Sequence, residues 1–157
     1  MLSTSDLMII LRVAVAAGLG MVVGVERMAV GAPIRARTLA LVTMTTTMLM
    51  AVADQAYGLD SSRVVQGLVT GMGFLGAGII LHSSAGEVRG LTTAATLWAM
   101  GAIGIVIGSG RVLLGVLLTG LIYALIALSD SALVERALQW GAERKSKSGG
   151  GDGPPSS

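Results

Sequence analysis

Gly71, Gly73 and Gly76 in the stretch TGMGFLGAG spell G-x-G-x-x-G. After a strand and before a helix, that spacing cradles a pyrophosphate, with an acidic residue about 20 positions further on. Here the motif lies in the middle of an apolar run, Val64 to Leu81, so the dinucleotide reading is rejected. Two readings of the glycines remain. In a continuous helix Gly67, Gly71 and Gly78 share one face and form a groove for a neighbouring helix. Alternatively the glycine density, with Gly73, Phe74 and Gly76, unwinds the segment near the bilayer midplane and exposes carbonyls to a transported solute.

Charged residues beside apolar runs form the second group, because a charge at membrane depth is expensive and is usually paired or functional. Glu26 and Arg27 follow the first apolar run, and Arg35, Arg37 and Thr38 lie across a loop containing Pro33. One carboxylate facing three guanidiniums suits an ion-pair network or an anion site; a solvated loop accounts for the same residues. Arg89 and Gly90 precede Leu91-Thr92-Thr93 at the start of the fourth apolar run. Free N–H groups there, with threonine hydroxyls and Arg89 alongside, would hold an anion or carboxylate; ordinary capping explains Thr92 equally well. Asp60 and Arg63 flank the start of the third run, where Asp60 and Ser61 are candidate caps. Arg12 lies just inside the first run and is expected to snorkel to the nearer surface. His82, the only histidine, ends the third run at the inner face, where it could sense cytoplasmic pH or serve only as an amphipathic boundary residue.

No catalytic set emerges. Cysteine is absent, there is one histidine, and the acidic residues are too scattered for a carboxylate cage around Mg²⁺. The reading is a protein that is not an enzyme, with no cofactor and no metal site. A net charge of +2, with the one basic run (Arg144, Lys145, Lys147) near the C-terminus, argues against nucleic acid as a partner.

The elements that must position these residues are membrane helices. The 157 residues are 53% hydrophobic and 13% charged, against roughly 25% charged in soluble domains. Five segments approach the about 20 apolar residues that a span requires: Leu7 to Val25, Thr38 to Ala53, Val64 to Leu81, Leu91 to Gly108 and Val112 to Leu128. The second is rich in threonine, including Thr43, Thr46 and Thr47, whose hydroxyls can bond back to helix carbonyls. The fold expected is an all-α integral membrane protein of about five transmembrane helices. Loop arginines place the N-terminus outside and the C-terminus in the cytoplasm, so the location expected is a bacterial inner membrane, crossed several times. The N-terminus has Asp6 where a signal peptide would be basic, so the first segment is expected to remain as a helix.

Ser3 and Asp6 have the form of a capping box, and Gly108-Ser109-Gly110 makes the last two helices an antiparallel pair. Gly20 with Gly24 and Gly104 with Gly108 repeat G-x-x-x-G, a spacing that serves packing within one chain or across a homodimer. Residues 1–128 form the transmembrane domain. Residues 129–148 read as a short amphipathic cytoplasmic helix, with Leu133, Ala137 and Trp140 on one face. A simple stop-transfer flank fits them as well. Residues 149–157, GGGDGPPSS, read as a disordered tail.

Four stretches together resemble one family: GLGMVVGVER (Gly18 to Arg27), RTLALV (Arg37 to Val42), DSSRVVQGLVTGMGFLGAGIIL (Asp60 to Leu81) and VRGLTTAATLWAMGAIGIVIGSG (Val88 to Gly110). In order and spacing they are similar to the membrane domain of the MgtC/SapB/YhiD family, over nearly all of Leu7 to Leu128. The resemblance implies a five-helix domain with a cytoplasmic C-terminus and a non-enzymatic, mostly regulatory role. It implies links to growth at low Mg²⁺, acid resistance, survival in host macrophages and modulation of a membrane complex such as the F-type ATP synthase. Longer members carry a soluble domain after the membrane part, where this sequence has a short basic stretch and a tail. The usual Gly-Leu before the Arg-Thr pair is Arg35-Ala36 here.

Two functions follow as expectations. The first is a regulatory protein that packs against a membrane-protein partner through its glycine-lined helices and arginine-rich loops. The second is a small oligomeric transporter or channel for Mg²⁺, protons or another small ion.

Overall fold

The structure, a computed structural model, describes residues 3–57, 61–81 and 90–129. Helix α1 spans Thr4–Ala29, α2 Ala36–Tyr57, α3 Ser62–Leu81, α4 Leu91–Gly108 and α5 Val112–Ser129. No strand occurs among the described residues. Helices α1 to α4 are each long and apolar enough to cross a membrane. A span takes about 17 to 25 residues, and α5, at 18, sits at the short end of that range. The chain divides into two compact units: one runs to Ile122 and holds α1 to α4 with the first part of α5, and the other begins at Tyr123. Asp60, His82, Arg89 and the expected amphipathic helix and tail lie outside the described residues.

Local chemistry sets the helix ends. The Asp6 N–H donates to Ser3 Oγ at 3.2 Å and the Ser3 N–H donates to Asp6 Oδ2 at 2.9 Å, so the expected capping box is formed. At the start of α3 the Ser61 carbonyl accepts the N–H groups of Val64 and Val65 at 3.0 and 3.2 Å. Between α4 and α5, the Ser109 N–H donates to the Ile105 carbonyl and Gly110 turns the chain at φ +89°, a conformation that costs glycine nothing sterically.

Helices α2 and α4 form the centre, with 50% and 56% of the residues in their apolar stretches buried, against 22% in α1 and 11% in α3. What brings them close is missing side chains. A Cβ on Gly20 would fall 2.7 Å from the Ala40 Cα, and one on Gly24 2.9 Å from the Ala36 carbonyl oxygen. On α4, a Cβ on Gly104 would fall 2.6 Å from the Thr43 carbonyl oxygen, and one on Gly108 2.7 Å from that of Thr47. Both G-x-x-x-G pairs are therefore used within one chain, on the two sides of α2. This answers what their spacing alone left open.

Three of the five threonines of α2, Thr43, Thr46 and Thr47, are buried in the same packing. Thr43 Oγ1 donates to the Leu39 carbonyl at 2.8 Å, and Thr46 Oγ1 lies within bonding distance of the Val42 and Thr43 carbonyls. Thr47 Oγ1 instead crosses to α4 and donates to the Gly104 carbonyl at 3.0 Å. Where dispersion rather than the hydrophobic effect holds helices together, close backbones and such bonds supply the attraction.

Candidate functional site

The contacts order the helix ends. Gly20 meets Ala40 and Gly24 meets Ala36, so α1 and α2 are antiparallel. Gly104 meets Thr43 and Thr46 while Gly108 meets Thr47 and Met50, so α2 and α4 run parallel. The end of α1, the start of α2 and the start of α4 therefore lie at one end of the bundle, and they carry Glu26, Arg27, Arg35, Arg37, Thr38, Thr92 and Thr93.

These residues do not form one network. Arg27 is buried, at 6% exposure, whereas Arg35 and Arg37 are exposed. Glu26 is half-buried, and its Oε2, shielded from solvent, has no hydrogen-bond partner among the described residues. No ion pair joins Glu26 to Arg35 or Arg37 among those residues. The expected cluster of one carboxylate and three guanidiniums is divided because Arg37 turns onto the outer side of the α1–α2 pair, beside Gly18 and Met21. Thr38 is half-buried, and its N–H donates to the Arg35 carbonyl at 2.9 Å.

At the start of α4 the cap is Gly90, at φ +83°, with no side chain bonded to the first turn. A Cβ there would meet Ile79 Cγ2 at 3.2 Å, which adds a steric reason for glycine. Thr92 is therefore not the cap; it is exposed, and its carbonyl accepts the Thr96 hydroxyl at 2.8 Å. Thr93 is buried at 2% exposure.

The glycines of α3 contrast with the others. The helix is continuous from Ser62 to Leu81, so the unwound alternative is not what the chain adopts. Nor, among the described residues, does a neighbouring helix fill the expected groove. A Cβ at Gly67, Gly71, Gly73 or Gly78 meets nothing within 4 Å, and only Gly76 touches a neighbour, Ala94 at 3.8 Å. Phe74 is 81% exposed, and Arg63 is exposed near the start of the helix. Helix α3 leans on α4 through Met72, which packs on Gly101, and leaves a cleft of about 360 Å³ toward α2, lined by Thr45, Thr46, Gly67 and Gly71.

The opposite end holds residues that the sequence reading undervalued. Arg12 does not simply snorkel outward: its Nη1 donates to the Gly108 carbonyl at 3.2 Å. A guanidinium at a helix C-terminus meets both an orphan carbonyl and the negative end of the helix dipole. Arg12 also lines a mixed cavity of about 300 Å³ with Ser5, Asp54 and Gln55. Asp54 and Gln55 belong to the last turns of α2, beyond the apolar segment expected to end at Ala53. The available signal was Arg12 itself, a charge inside an apolar run.

Among the described residues no three His, Cys, Asp or Glu side chains gather to hold a metal ion. The profile of the MgtC family matches residues 13–133. The chain belongs to the MgtC family. A protein of Haemophilus influenzae is 36% identical over 149 residues, covering 88% of this chain and 62% of that protein. Protein SrpB of Synechococcus elongatus is 40% identical over 139 residues, covering 80% of this chain and 75% of its own length. A putative magnesium transporter of Escherichia coli K12, YhiD, is 41% identical over 103 residues, 60% of this chain and 47% of that protein. The chain thus spans only about half to three quarters of these relatives. No solved structure matches it. Family and apolar helices together make it a membrane protein.

Proposed function

We propose that this MgtC-family chain is a non-enzymatic regulatory protein that crosses a bacterial inner membrane several times, N-terminus outside and C-terminus in the cytoplasm. It acts in adaptation to low Mg²⁺ or acid stress by docking α3 against a helix of a larger membrane complex. The observation that supports this reading is the division of labour among the glycines. Gly20, Gly24, Gly101, Gly104 and Gly108 are spent on contacts inside the chain, while a Cβ at Gly67 or Gly71, on the helix that carries exposed Phe74, would meet nothing within 4 Å. Glycine in a helix interior forgoes about 1 kcal/mol relative to alanine, and a face of them permits close approach by another helix. The test is co-purification in mild detergent from Mg²⁺-limited cells, with the F-type ATP synthase among the complexes probed. The wild type should retain a partner that Gly71→Leu loses, although that variant inserts and folds normally. Repeated isolation of the wild type without any partner would refute the reading.

A second reading takes its support from the cleft between α2 and α3 and from the name of the YhiD relative: an oligomeric carrier of Mg²⁺ or another small ion. It requires ion flux in proteoliposomes, and absence of Mg²⁺, proton and anion flux would remove it.

A further inference from the structure

The outer side of the α1–α2 pair carries a furrow that neither functional reading uses. Two cavities, of about 330 and 500 Å³, share Ala17 and Met44 in their linings and so adjoin along one groove. Its floor is made of small residues of α1, Ala14, Ala17 and Gly18, and one wall is made by Met44 and Met48 of α2. A Cβ on Gly18 would meet nothing within 4 Å, because that position opens into the groove. The only charged residue in the lining is Arg37, at one end.

We infer that this groove holds one acyl chain of an anionic phospholipid, with Arg37 on the lipid's phosphate. Length supports that occupant. From Arg37 to Met48 is eleven residues of α2, about 16 Å at 1.5 Å per residue. One leaflet of a hydrocarbon core about 30 Å thick is about 15 Å deep. Charge supports it too. Arg37 is exposed and makes no ion pair among the described residues; the first turn of α2 has no acidic side chain, and exposed Arg35 adds a second cation just before it. The positive end of the α2 dipole lies at the same place. A guanidinium fork is suited to phosphate oxygens, and the two methionines are adaptable surfaces for a flexible chain.

The test is native mass spectrometry of the full chain released from micelles containing equal amounts of phosphatidylglycerol and phosphatidylcholine. One lipid should be retained per chain, with phosphatidylglycerol preferred about fivefold or more, as follows from about 1 kcal/mol per basic residue near an anionic surface. Arg37→Gln should lower that preference by about fivefold, the share of one basic residue, while a lipid is still retained. Gly18→Leu, whose Cβ meets nothing within 4 Å and whose side chain extends into the groove, should reduce retention of both lipids while circular dichroism stays unchanged. The inference is overturned if the wild type shows no headgroup preference, if Gly18→Leu retains lipid like the wild type, or if a second copy of the chain occupies the groove in place of lipid.

Discussion

Replacing Gly104 by alanine tests the packing at the centre of the bundle, with Gly71→Ala as its partner measurement. Both substitutions gain about 1 kcal/mol of helix preference, so they differ only in what the new methyl group meets. At Gly104 it would fall 2.6 Å from the Thr43 carbonyl oxygen, where 3.4–4 Å is ordinary contact, so α2 and α4 must part by about 1 Å. Overpacking of this kind costs about 1 to 3 kcal/mol. The same movement stretches the Thr47 to Gly104 hydrogen bond, and an interhelical bond in a membrane contributes about 0.6 and at most about 1.7 kcal/mol. At Gly71 the methyl group meets nothing. Gly104→Ala should therefore be less stable than Gly71→Ala by about 2 to 5 kcal/mol, the sum of those two costs. Equilibrium unfolding in mixed detergent and SDS micelles measures both. If the two variants unfold within about 0.5 kcal/mol of each other, a difference inside ordinary additivity error, absent side chains are not what holds α2 to α4.

Thr47→Val should destabilise by about 0.6 kcal/mol or more in the same assay, whereas Thr43→Val, which loses only a bond within its own helix, should cost less; equal losses would contradict the assignment of Thr47 as the cross-helix donor. Arg12→Gln should cost up to about 2 kcal/mol by removing the cation from the end of α4, read as faster amide exchange at the last turn of α4 and at the Ser109 and Gly110 turn. Exchange unchanged there would return Arg12 to simple snorkelling. Because the chain has no cysteine, Ser3→Cys and Arg35→Cys provide single labelling sites: an impermeant maleimide added to intact cells should label the first and reach the second only after lysis. The reverse pattern would invert the proposed orientation.

Particular residues show how far the sequence could be read. The helix limits were legible because a bilayer demands long apolar runs with all backbone bonds made internally. The expected Leu91 to Gly108 coincides with α4, and the Ser3 and Asp6 cap follows from chain neighbours alone. The charged end was only partly legible. Glu26, Arg27, Arg35 and Arg37 are close in sequence, but a loop followed by a new helix start places Arg37 on the outer side of α1 and α2 while Arg27 is buried. Sequence proximity carries no information about which side of a helix pair a long side chain takes.

By itself, then, the sequence determined the helical class, the apolar segments, the α1 cap and the family, because each depends on composition, periodicity or order along the chain. Only the tertiary structure decided what the glycines do. Gly104 and Gly71 are the same residue inside apolar helices, yet at one a Cβ would press against a backbone carbonyl and at the other it would meet nothing within 4 Å. A glycine contributes nothing but the absence of a side chain, and what an absence admits depends on which helix stands opposite.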